Sequence, residues 1–177
     1  MTSLLRSSLA IALAAVAVPT VYAQSVPDLS GVWTLDAERS QLPEPSPPPA
    51  APGGPPPPPR LVALTIRQTS TELEIDRTFV TARGQTVDHV ICRLDGAETR
   101  HTTDLFVETT RASWTGSTLT LSTVQSASAS FGPMTGKALA TVVETYRVDG
   151  GALIVESVRT VNGKEGNRRR LTFAKIR

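Results

Sequence analysis

From residue 60 onward, apolar and polar residues alternate with a period of two, the spacing of a strand with one buried face. Val62, Leu64 and Ile66 share one face of the first run. Leu73, Ile75 and Phe79 share one face of the next, with Glu72, Glu74, Asp76 and Thr78 opposite. Thr86 to Leu94 is a third run, closed by Asp95-Gly96, and Leu105 to Trp114 turns into Ser117 to Gln125 across Thr115-Gly116. Lys137 to Val148, Ala152 to Val161 and Glu165 to Lys175 follow, separated by Asp149-Gly150 and Asn162-Gly163, both strong hairpin turns. A short strand at Val32 to Leu35 makes nine, and Asp36 to Ser40 reads as one helical turn capped by Asp36.

Sequential hairpins in this number favour closure, because an open sheet leaves edges that recruit other chains. The pattern therefore predicts an all-β fold, an up-and-down antiparallel β-barrel of eight to nine strands. A two-sheet β-sandwich is the alternative. Short turns favour the barrel, since sandwiches need longer crossovers.

Two segments interrupt the alternation. Residues 1–23 read as a cleavable signal peptide: Arg6, an apolar run from Leu9 to Val18, and small residues at Val21 and Ala23 before Gln24. Ten apolar residues are too few for a bilayer span, which takes about 20 in a helix, so no stable membrane span is expected. The expected destination is periplasmic or secreted. Residues 24–42 then form the N-terminal strand and turn, residues 43–59 a proline-rich disordered loop, and residues 60–177 the rest of the barrel. Eleven of the chain's fourteen prolines fall between Pro43 and Pro59, where missing N–H donors and a fixed φ exclude helix and sheet. This segment is either a spacer or contact for an envelope protein, or an expanded loop. The stretch Ser126 to Gly136 is read either as a lid over the barrel mouth or as a surface loop.

Composition narrows the chemistry. Eighteen basic residues face sixteen acidic ones, a formal charge of +2, which argues against a nucleic-acid partner and against generic attraction to an anionic surface. A single cysteine, Cys92, excludes a disulfide framework; within Val90-Ile91-Cys92 it reads as a buried thiol.

Gly31-x-Trp33, opening an antiparallel meander, resembles the lipocalin and wider calycin signature. In that family the Trp closes one barrel end beneath a basic residue from a late strand; Arg168, Arg169, Arg170 and Arg177 are the candidates here. The chain also resembles small secreted bacterial proteins of uncharacterised function that begin LSGxW and carry a Pro-rich loop. Their W-x-G-x-x-L and D-G-x-x-L hairpins correspond to Trp114 to Leu119 and Asp149 to Leu153. The resemblance implies a barrel with a small hydrophobic or amphipathic ligand inside.

No nucleophile elbow, phosphate loop, dinucleotide fingerprint or zinc-protease motif is present. With His89 and His101 as the only imidazoles, no catalytic residue, metal site or cofactor is expected, and the protein is read as not an enzyme. The unusual positions are charged or polar residues on apolar strand faces. Arg77 shares a face with Leu73 and Ile75, Arg159 with Leu153 and Val155, and Tyr146 and Glu144 with Val142. A buried guanidinium requires a partner. Either each Arg pairs with a carboxylate or packs its stem at the mouth, or Arg77, Tyr146 and Arg159 meet the acidic head of a ligand.

Overall fold

The alternating runs become eleven strands in a computed structural model that describes residues 26–42, 57–102, 106–128, 137–166 and 168–176. They are β1 (Gly31–Gln41), β2 (Arg60–Gln68), β3 (Glu72–Thr81), β4 (Gly84–Arg93), β5 (Glu98–Thr102) and β6 (Phe106–Thr115). After them come β7 (Thr118–Ala127), β8 (Ala138–Asp149), β9 (Ala152–Val161), β10 (Lys164–Glu165) and β11 (Arg169–Lys175). The expected signal peptide, most of the proline segment and the tip of the 126–136 loop lie outside the described residues.

A single antiparallel ladder runs β4-β3-β2-β1-β11-β9-β8-β7-β6-β5, with the two-residue β10 appended to β9. The first strand pairs with both β2 and β11, which curls the sheet into a nearly closed barrel. One continuous ladder leaves no room for the sandwich alternative. The ring is open between β4 and β5, where the contact narrows to side-chain bridges such as Arg93 N donating to Thr99 Oγ1 at 3.2 Å.

The expectation of eight to nine strands is corrected to ten around the ring plus β10. The sequence of β5, Glu-Thr-Arg-His-Thr, has no apolar residue to signal a face; its pairing with β6 makes it a strand. The expected helical turn at Asp36 to Ser40 is likewise strand. Asp36 does accept the Arg39 N–H at 3.2 Å, but as an irregularity in the β1–β11 ladder. A similar slip between Leu61 and Ala63 takes Val62 out of the register, so Leu61 joins Leu64 and Ile66 against the core. The last run breaks at Gly166, whose N–H reaches the Arg159 carbonyl at 2.7 Å.

An up-and-down ring gathers alternate connections at opposite ends. At one end lie the short turns after β2, β4, β6 and β8. The segment before β1 is drawn beneath this end. Gln68 ties it there, accepting the Leu29 N–H at 3.0 Å and donating to the Pro27 carbonyl at 3.0 Å. Trp33 Nε1 donates to the Leu29 carbonyl at 3.0 Å, and Leu29 and Trp33 are buried. Lys175 Nζ lies 5.1 Å from the Trp33 ring centroid, a cation–π contact. Gly31, at φ +147°, leaves room for it: a Cβ there would stand 2.5 Å from Lys175 Cε. The basic partner of the tryptophan is thus Lys175, its register neighbour. Arg168, Arg169 and Arg170 sit toward the other end of the barrel, and Arg177 lies outside the described residues. At that other end are the connections after β1, β3, β5, β7 and β9.

Candidate functional site

Strand alternation places Arg77 on the inner face of β3 with Leu73 and Ile75, and Glu144 and Tyr146 on the inner face of β8. These strands are five apart in either direction around the ring, so they form opposite walls. The Arg77 guanidinium spans the lumen. Its Nη2 pairs with Glu144 Oε2 and donates to the Tyr146 hydroxyl at 3.2 Å, while Nη1 lies 3.6 Å from Asp88 Oδ2. The Tyr146 hydroxyl in turn donates to Glu144 Oε2 at 3.3 Å.

Burial opposes the Arg77 charge, but the Tyr146 and Glu144 oxygens and Asp88 outweigh it, holding the guanidinium pKa above its ordinary value. Burial dominates at Tyr146 and raises its pKa despite Arg77, so the phenol stays protonated and can donate.

This crossing pair divides the lumen. Toward the closed end, Trp33, Leu64, Ile66, Leu73, Ile75 and Phe173 are all at most 2% exposed. A void able to hold water would register as accessible surface on these side chains, so this half is filled. Cys92 lies here, its Sγ 3.7 Å from the Leu73 carbonyl, and burial pushes its thiol up to about 11. The thiol is free and buried, as its apolar surroundings predicted.

Toward the open end the inner face turns polar. Thr110 and Thr123 hydroxyls meet at 2.9 Å, and Gln125 donates to Glu108 at 2.7 Å. Arg159 Nη2 reaches Gln125 Oε1 at 3.3 Å. Phe79, Leu61 and Val142 add apolar surface at intermediate exposure. The Arg77 and Glu144 side chains, 19% and 16% exposed, form the floor of this half.

Of the three sequence candidates, the fold joins Arg77 and Tyr146 and leaves Arg159 exposed nearer the mouth. Glu144 was legible only as a neighbour sharing a face with Tyr146; nothing in the sequence assigns it to Arg77. His89 faces outward on Asp76, Nδ1 to Oδ1 at 2.5 Å, and the exposed His101 stands on β5. Among the described residues, no three His, Cys, Asp or Glu side chains converge as a metal site requires. No helix among them is long and apolar enough to cross a membrane. Two clefts lie outside the core. One of about 510 Å³ at the closed end is lined by Val26, Asp28, Gln68, Leu94 and Trp114. Another of about 570 Å³ is lined by Val143, Val158 and Arg168 to Arg170.

No protein-family profile matches the chain, and no curated protein matches it. Among solved structures it is similar to one described as REP1-NXSQ fatty acid transporter. That likeness has 12% identity over 84% of this chain and 96% of the other, with a TM-score of 0.45. It is also similar to secretory abundant heat soluble protein 4 from Ramazzottius varieornatus, at 15% identity over 65% of this chain and 69% of the other, with a TM-score of 0.41. The barrel assignment itself rests on the chain's own ladder, in which ten antiparallel strands, joined through β1 and β11, form a nearly closed ring.

Proposed function

We propose that this is an exported, non-enzymatic binding protein that holds one small hydrophobic or amphipathic molecule in the open half of its lumen. The observation that carries the reading is the Arg77–Glu144 pair across the barrel, which separates a filled apolar half from a more polar and more exposed one. A ligand seated there places apolar parts against Leu61, Phe79 and Val142 and a polar group toward Arg159, with Arg77 and Tyr146 as the floor. Sites of this kind combine apolar walls with a few placed polar groups. The action is sequestration or transport, and export rests on the N-terminal 1–23 segment. The alternative is a filled barrel that contacts an envelope protein; the packed lower half and the outer cleft beside Arg168 to Arg170 favour it.

Native mass spectrometry of the mature protein, purified from its own host's envelope without detergent, separates the two. A discrete extra mass that leaves on denaturation is expected. It should be lost in Val142→Trp, which fills the upper lumen, and kept in Val143→Trp, whose side chain faces outward. A bare monomer throughout, or a co-purifying protein in place of a small molecule, would overturn the carrier reading.

A further inference from the structure

Among the described residues the charges are nearly balanced in number but unevenly paired in space. Toward the closed end every arginine among the described residues is in an ion pair. Arg67 is paired to Glu74 and Asp76, Arg93 to Asp95, Arg111 to Glu98 and Arg147 to Asp149. At the open end the pattern reverses. Arg60, Arg83, Arg100, Lys137, Lys164 and Arg169 are all exposed and form no ion pair with a described residue. Arg159 adds a seventh cation, bonded to the neutral Gln125. Arg39, Arg168 and Arg170 at this end are paired to Asp36, Glu165 and Glu156. Glu38, Glu108 and, on the lumen walls, Asp88 and Glu144, both paired to Arg77, are the remaining acidic residues described there.

These cations come from β2, the β3–β4 turn, β5, the residue just before β8, β9, β10 and β11, so they surround the mouth. Ten strands about 4.8 Å apart and tilted form a ring roughly 20 Å across. One small anion reaches two or three such positions; a flat surface meets all of them. Between the cations stand Leu42, Val80 and Val161, which are 40%, 41% and 42% exposed, side chains suited to the boundary between headgroups and acyl chains.

We propose that the open end of the barrel docks peripherally, mouth down, on a lipid bilayer surface bearing anionic headgroups. The inference does not rest on a lumenal ligand. It places the mouth against the source or destination of any molecule the barrel carries.

The test is co-sedimentation with vesicles of phosphatidylcholine containing phosphatidylglycerol, against phosphatidylcholine alone. The chain 24–177 is used, because all eleven strands lie within it. Binding to the anionic vesicles is expected, falling steeply with salt. Each cation near such a surface contributes about 1 kcal/mol, or roughly fivefold. Arg60→Gln/Arg83→Gln/Lys164→Gln should therefore weaken binding about a hundredfold. Arg67→Gln/Arg93→Gln/Arg147→Gln removes the same charge from the closed end and should leave binding nearly unchanged. Equal loss in the two triple variants would overturn the proposal, because bulk charge would then explain the binding. So would failure to sediment with anionic vesicles, equal binding to neutral ones, or capture by a soluble polyanion such as heparin without vesicle binding.

Discussion

Arg77→Met isolates the charge pair that crosses the lumen. It leaves the Glu144 carboxylate, 16% exposed, facing an apolar neighbour. Removing one member of a buried pair costs about 3–5 kcal/mol. Residual water at this site lowers the expectation to roughly 2–3 kcal/mol. Glu144→Leu strands the guanidinium instead, at a similar cost. The double variant Arg77→Met/Glu144→Leu removes both charges and leaves the Tyr146 hydroxyl without these partners, a loss of about 1–2 kcal/mol. The singles therefore sum to well above the double, with a coupling of roughly 3 kcal/mol. Urea unfolding followed by far-ultraviolet circular dichroism gives the four free energies, with the slope checked for constancy. Additivity within about 0.5 kcal/mol would refute the reasoning, because it would mean that the two walls do not interact.

Other expectations follow from the closed end and the outer face. Trp33→Ala should cost about 3–5 kcal/mol, since it empties the plug and strands the Leu29 carbonyl; a change below about 0.5 kcal/mol would sink that role. Cys92, fully buried and pushed up to about 11, should resist a thiol reagent at neutral pH and react once urea unfolds the chain; prompt labelling of native protein would contradict its burial. The hydrogen bond from His89, helped by Arg67, holds Asp76 below its usual 3.8. A depressed carboxyl stabilises the fold above that value, and its contribution disappears as pH falls through the folded pKa. Asp76→Asn should thus lose stability at neutral pH yet show a shallower decline under acid; superimposable acid profiles would count against the contact.

Strands with an apolar face were legible in the sequence, and the rest was hidden for identifiable reasons. Leu73 and Ile75 announced β3, and Leu119 and Leu121 announced β7, because burial writes a period of two. β5 left no such mark, since its neighbour β6, rather than the core, organises it. The Asp36 turn chemistry was real, but tertiary pairing with β11 absorbed it into a strand. Arg77 and Tyr146 stood out as polar residues on apolar faces. Their meeting with Glu144 depends on which strands become opposite walls, a property of ring closure that no local window contains. The cation-rich mouth was equally invisible to composition, because the sum of the charges conceals their arrangement.

The ring's break in hydrogen bonding and its break in covalent connectivity fall at different places. Between β4 and β5 the chain is continuous while the ladder is interrupted; between β11 and β1 the ladder is continuous, sealed by Ile176 N to the Val32 carbonyl at 2.8 Å. Every other junction joins strands close in sequence, so β1 with β11 is the one pairing that must recruit distant segments and bear the loop-closure entropy. A circular permutant that links the end of β11 to the segment before β1 and opens the 94–97 turn would bring both breaks together. All its pairings would then be local, and it should fold faster than the native chain order while keeping the same lumen.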